Sequence, residues 1–169
     1  MNMWRITALG TVLITASLVT SPAPVTAASP ASARLQSLVG SWSCTQKGSM
    51  GTQTTTSTAS MVGDTFVKFA GNVPAAGKRA AHTSDGYLGY DATKHQWVYL
   101  EVNTLGEYFV SKSDAAPTAM TQTWVDAYPV DPNDGPSTLH FTSPTSYTLD
   151  SAWKEKGKAM SAHTVCTKQ

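Results

Sequence analysis

The chain has 169 residues, with 12 Lys and Arg against 11 Asp and Glu, a charged fraction of 14% and a formal net charge of +1. So even a balance leaves no basic footprint for nucleic acid or an anionic membrane surface, both of which are recognised through clustered Lys and Arg. The length suits one domain with a real core, and few charges among abundant Thr, Ser and Gly suit an exported β protein.

The chain opens MNMWR, continues through the apolar run ITALGTVLITASLV and then meets TSPAPVTAASP, where small residues and prolines break any helix. This is the three-part layout of a secretory signal, with Arg5 as its positive end and Val25-Thr26-Ala27 as the cleavage-site pattern. The run is shorter and more interrupted by Thr and Ser than a membrane span of about 20 apolar residues. An uncleaved amphipathic anchor is the alternative, but the downstream charges that would hold it are missing. Residues 1–27 are therefore expected to be a signal peptide, 28–34 a linker and 35–169 a single domain, periplasmic or extracellular. Without Arg5 that domain carries as many basic as acidic side chains.

Next, ARLQSLVG predicts one short helical turn ending at Gly40. Beyond it, apolar residues alternate with period two between turn residues spaced roughly every 8 to 12 positions, the pattern of an antiparallel barrel or sandwich. Strands are expected near 41–47, 53–61, 65–70, 79–90, 96–103, 107–113, 119–126, 137–142, 145–152 and 158–167. The weakest, TQTTTSTAS, is either a strand or a Thr-rich linker, and the β propensity of Thr favours the strand. The strongest is HQWVYLEVNT, where Trp97, Tyr99, Glu101 and Asn103 face one way and Val98, Leu100 and Val102 the other. Both faces suit burial, so the alternation leaves open which is interior. GNVPAAGKR and AYPVDPNDGPS, marked by Pro and Gly, are the long loops.

About ten strands joined by short turns leave two exposed edges unless the sheet closes on itself, and closure of an up-and-down sheet sets the first strand beside the last. The two cysteines, Cys44 and Cys166, lie on those strands. In an oxidising compartment they are expected to form a disulfide, with a free reactive thiol as the alternative. A bond closing a loop of over a hundred residues contributes about 4 to 5 kcal/mol in the chain-entropy picture. The expected fold is thus an all-β antiparallel up-and-down barrel, with a sandwich as the less direct solution.

LVGSWSC, with Gly40, Ser41 and Trp42, resembles the opening of calycin-type, lipocalin-like barrels, where a helical turn leads to Gly-x-Trp on the first strand. The resemblance implies that Trp42 closes one barrel end beneath a ligand cavity. GYDATKHQWVYLEVNTLGEYFVSKSD and the ending FTSPTSYTLDSAWKEKGKAMSAHTVCTK resemble a group of exported bacterial barrels. That likeness implies a fold and an internal cavity but no particular activity. A related branch, the nitrobindin-like barrels, binds haem through a histidine near the chain end, where this chain has His163. If Cys166 points inward in regular register, His163 points outward, and only a bulge reverses that parity.

Chemical motifs are sparse. There is no Gly-x-Ser-x-Gly elbow, phosphate-cradling loop or dinucleotide fingerprint. Ser151-x-x-Lys154 falls at a strand end, where residues three apart face opposite ways. The histidines His82, His95, His140 and His163 are scattered, and DPNDG fails the calcium-loop spacing. What remains is a set of candidate cavity residues: Trp42, Trp97, Tyr99, Glu101, Tyr108 and Trp124. The leading expectation is an exported barrel that binds a small hydrophobic or amphipathic molecule without cofactor or catalysis of its own. The alternatives are a cavity isomerase or hydrolase using Glu101 or a histidine as base, a haem barrel ligated by His163, and a filled barrel serving as a structural module.

Overall fold

The alternating pattern becomes ten antiparallel strands in the computed structural model, which describes residues 28–75 and 79–169. The expected signal peptide lies outside the described residues. A helix, α1 (Pro30–Leu38), precedes β1 (Gly40–Gly48), β2 (Gly51–Val62), β3 (Phe66–Val73), β4 (His82–Asp91) and β5 (Gln96–Asn103). There follow β6 (Tyr108–Ser113), β7 (Thr121–Tyr128), β8 (Ser137–Ser143), β9 (Ser146–Glu155) and β10 (Lys158–Lys168). Each strand pairs with its sequence neighbours, and β1 pairs with β10, so the sheet closes into a barrel and no edge remains.

Closure places Cys44 directly opposite Cys166, with Cα atoms 4.0 Å apart and the sulfurs bonded. The Thr-rich β2 runs in unbroken register with β1 from Gly40↔Ala59 to Gly48↔Gly51. At the last hairpin, Lys156 and Gly157 both take positive φ, the two-residue turn whose twist matches that of the flanking strands.

The helix is longer than one turn and starts inside the stretch expected as a linker. Ser29 caps it by accepting a hydrogen bond from the Ser32 amide at 3.1 Å, and Pro30 fits a first turn whose N–H needs no partner. Ala31, Leu35 and Leu38 fall on one helical face and are buried. They meet Trp42, Val67, Trp97 and Phe141 in the core, so α1 seals the barrel end from which β1 departs. The Trp42 indole donates to the Leu38 carbonyl at 2.7 Å, fixing the seal to the first strand. Arg34 lies over the Phe141 ring, 4.2 Å from its centre, and its Nη2 donates to the Ala119 carbonyl at 3.3 Å, joining α1 to the β6–β7 loop. The opposite end carries the β3–β4 and β7–β8 loops.

Candidate functional site

On β5 the interior face is that of Trp97, Tyr99 and Glu101. Across the β5–β6 pair, Trp97 stands opposite Ser113, Tyr99 opposite Ser111, and Glu101 opposite Phe109. Large side chains on one strand thus face small ones on the next at the sealed end, which lets a narrow barrel close there. Toward the other end the pattern gives way to a cavity of about 620 Å³ lined by β3 to β9 and the β7–β8 loop. Its wall is mostly apolar, including Phe69, Leu88, Phe109, Trp124, Tyr147 and Trp153.

The six candidates separate by height and by face. Tyr99, Glu101 and Trp124 line the cavity. Trp42 and Trp97 point inward but belong to the packed core of the sealed end, at 2% and 1% exposure. Trp97 packs edge-on to Tyr90, and its indole N–H is buried without a hydrogen-bond partner among the described residues. Tyr108 is outside: it pairs with outward Val102, is 51% exposed and stacks on Tyr128 with ring centres 5.7 Å apart. The inward positions of β6 are instead Phe109, Ser111 and Ser113, because the bulky β5 rings opposite leave room only for serine at two of them.

Glu101 sits in the cavity wall and accepts a hydrogen bond from the Tyr99 hydroxyl at 2.7 Å, a short contact of the charge-assisted kind. Gly86 makes the arrangement possible, because a Cβ there would overlap the Tyr99 hydroxyl. Burial first, then the Glu101 charge, holds the Tyr99 hydroxyl well above the usual phenol range, so Tyr99 remains a donor to Glu101. At the inner end, burial pushes the Tyr147 hydroxyl to about 12. Its partner is Cys44 Sγ at 3.8 Å.

Three further carboxylates line the open end: Asp126 on β7 and Asp131 and Asp134 in the following loop. Ser111 donates to Asp126 at 3.0 Å, and a bulge between β6 and β7 keeps Asp126 inward while Tyr128 stands opposite Val110. Asp131 accepts from the Asn133 amide at 2.8 Å and from its side chain at 2.9 Å. Asp134 bridges to Trp153, and flanking bonds from Gly135 N to Ala152 O and Lys154 N to Asn133 O tie the loop to β9. Partial burial, followed by the Asp126 and Asp131 charges, raises the Asp134 carboxyl above its ordinary range. Asp126 shares its strand face with Trp124, a signal that alternation did offer. Asp131 and Asp134 lie in a loop, where strand periodicity has no force.

His163 projects outward from β10 and bonds Asp150 at 2.6 Å, its side chain 52% exposed. A haem seated in the cavity has no histidine on its wall among the described residues, so these residues do not fit a His163-ligated haem. No three His, Cys, Asp or Glu groups among the described residues converge closely enough to hold a metal ion.

No protein-family model and no curated protein matches the chain. Among solved structures it is similar to Rv2717c from M. tuberculosis, at 13% identity and a TM-score of 0.58, covering 83% of this chain and 98% of that one. It is also similar to a barrel described as EF1p2_mFAP2b bound to DFHBI, at 11% identity and a TM-score of 0.48, over 82% of this chain and 98% of that one. At these identities the first likeness bears on fold alone, and it agrees with the antiparallel β-barrel expected from the sequence.

Proposed function

We propose that this protein is an exported barrel that binds a small, partly apolar molecule in its cavity, without cofactor or catalysis of its own. The observation that carries the reading is the cavity itself: about 620 Å³, mostly apolar, and lined by a few placed polar groups. That volume lies within the roughly 300 to 1,000 Å³ of small-molecule sites. Export is supported by the signal-like opening and by the Cys44–Cys166 bond, which is stable in oxidising compartments. The test is a titration of the full chain with phenylnaphthylamine, a neutral apolar fluorophore. Saturable one-to-one binding is expected, and it should be abolished by Ser151→Phe or Leu149→Trp, which fill the cavity from β9. Absence of saturation, or binding unchanged in a folded filling variant, overturns the reading.

A second reading has one specific observation in its favour. Glu101 faces the cavity with a hydroxyl donor fixed on one oxygen, the placement of a general base acting on a bound carbon acid. It requires turnover of a carbonyl-bearing ligand that disappears in Glu101→Gln while ligand binding persists.

A further inference from the structure

Among the described residues, the charged side chains of the cavity wall are all acidic. Of the chain's 11 acidic residues, Glu101, Asp126, Asp131 and Asp134 line this single space. Of its 12 Lys and Arg residues none does so among the described residues, and no histidine does either. The concentration is not explained by the chain's overall charge, which is close to neutral.

Nor is it explained by internal pairing. The ion pairs of the described residues join Lys68 to Asp85, Arg79 to Glu107, Lys94 to Asp91 and His163 to Asp150, all away from the cavity wall. Among the described residues, the polar partners of the cavity carboxylates are hydroxyl, amide and carboxyl groups: Tyr99 on Glu101, Ser111 on Asp126, Asn133 on Asp131, and Asp126 beside Asp134. Such donors orient a carboxylate without neutralising it. They also leave lone pairs for a ligand.

We propose, resting on the binding reading above, that the cavity selects amphipathic organic cations: an ammonium head among Glu101, Asp126 and the rim aspartates, and an apolar body packed inward against the aromatic wall. The carboxylates do not converge on one point to metal-binding distance, so the matching cation is a bulky one whose hydrogen-bond donors or methyl groups reach several of them. The rings of Tyr99, Phe109, Trp124 and Trp153 share the wall, and aromatic faces attract cations through their quadrupoles. Deeper in, the Tyr147 hydroxyl has, among the described residues, Cys44 Sγ at 3.8 Å as its hydrogen-bond partner. The Tyr147 hydroxyl lies on the cavity wall, where an acceptor at the inner end of the ligand's apolar body could compete with that weak sulfur contact. An anionic amphiphile of the same shape meets uncompensated like charges, which gives the site discrimination as well as attraction.

The experiment uses three probes with one apolar body: naphthylmethylammonium, naphthylmethanol and naphthoate, each competed against phenylnaphthylamine on the full chain. The cation is expected to bind about tenfold or more tighter than the alcohol, as oriented charge pairs and cation–π contacts imply, and naphthoate weakest of the three. In Glu101→Gln/Asp126→Asn the cation's affinity should fall to that of the alcohol while thermal unfolding stays cooperative, which separates a lost head-group site from a lost fold. Equal binding of cation and alcohol, or a preference for naphthoate, overturns the proposal and leaves the binding reading standing. Failure of all probes, phenylnaphthylamine included, overturns both. Displacement of the ammonium by millimolar calcium but not by matched ionic strength also overturns it, in favour of a metal site.

Discussion

At the α1 end of the barrel, side chains meet one another: Leu35 and Leu38 close over Trp42, Trp97 fills the space opposite Ser113, and Phe141 carries Arg34 on its face. At the β7–β8 loop end, built from the continuations of the same strands, the inward positions hold Glu101 and Asp126 and meet a cavity. The difference lies in what alternates. Near the seal, large rings face serines and the interior fills. Near the mouth, Glu101 and Asp126, each oriented by a hydroxyl donor, share the inward face with Phe109 and Trp124, and the space between them stays open. One end therefore supplies stability and the other is left to recognise something, a division that substitutions can probe.

The largest effect is expected where both ends depend on the same bond. Cys44→Ala/Cys166→Ala opens a loop with a sequence separation of 122, and the unfolding free energy should fall by about 4 to 5 kcal/mol in denaturant titrations under oxidising conditions. Trp42→Ala should cost about 3 to 5 kcal/mol, because it empties the seal and leaves the Leu38 carbonyl without its indole donor. In both variants, phenylnaphthylamine binding at fixed folded fraction should change little, since none of the three residues lines the cavity.

The mouth should behave in the opposite way. Glu101→Gln keeps an acceptor for the Tyr99 hydroxyl and should shift urea stability by about 1 kcal/mol or less while altering cation binding. The smallest effect is a pH slope. The raised Asp134 carboxyl binds its proton more tightly in the folded state, so its contribution to stability is complete below the ordinary value of 3.8. That contribution is lost as pH rises through the raised folded value. The difference between wild type and Asp134→Asn, followed by thermal melting across that window, should therefore move against the wild type with rising pH. A difference of opposite slope would mean that neither burial nor the Asp126 and Asp131 charges oppose ionisation of Asp134.

Strand alternation is a local property, and it made the architecture legible. The ten strands, the Thr-rich β2 among them, and the opposition of Cys44 to Cys166 follow from period-two patterning and closure. The same parity turns His163 outward once Cys166 faces in. The cavity was less legible, because what lines it depends on height in the barrel as well as on face. Trp97 and Tyr99 are two residues apart on one face, yet one belongs to the seal and the other to the cavity wall. Tyr108 looks like a lining aromatic, but the rings opposite β6 admit Ser111 and Ser113 inward and send Tyr108 out. The rim aspartates came from a loop whose path is set by its ties to β9, and no periodic pattern reports such ties.

The division between a packed end and a receiving end is tested most directly by two-dimensional amide NMR of the full chain titrated with phenylnaphthylamine. Saturable shifts are expected around Tyr99, Trp124, Asp126 and Trp153, with Leu35, Trp42 and Trp97 unmoved at saturation. Shifts centred on the α1 end, or an absence of any saturable change, would contradict the account.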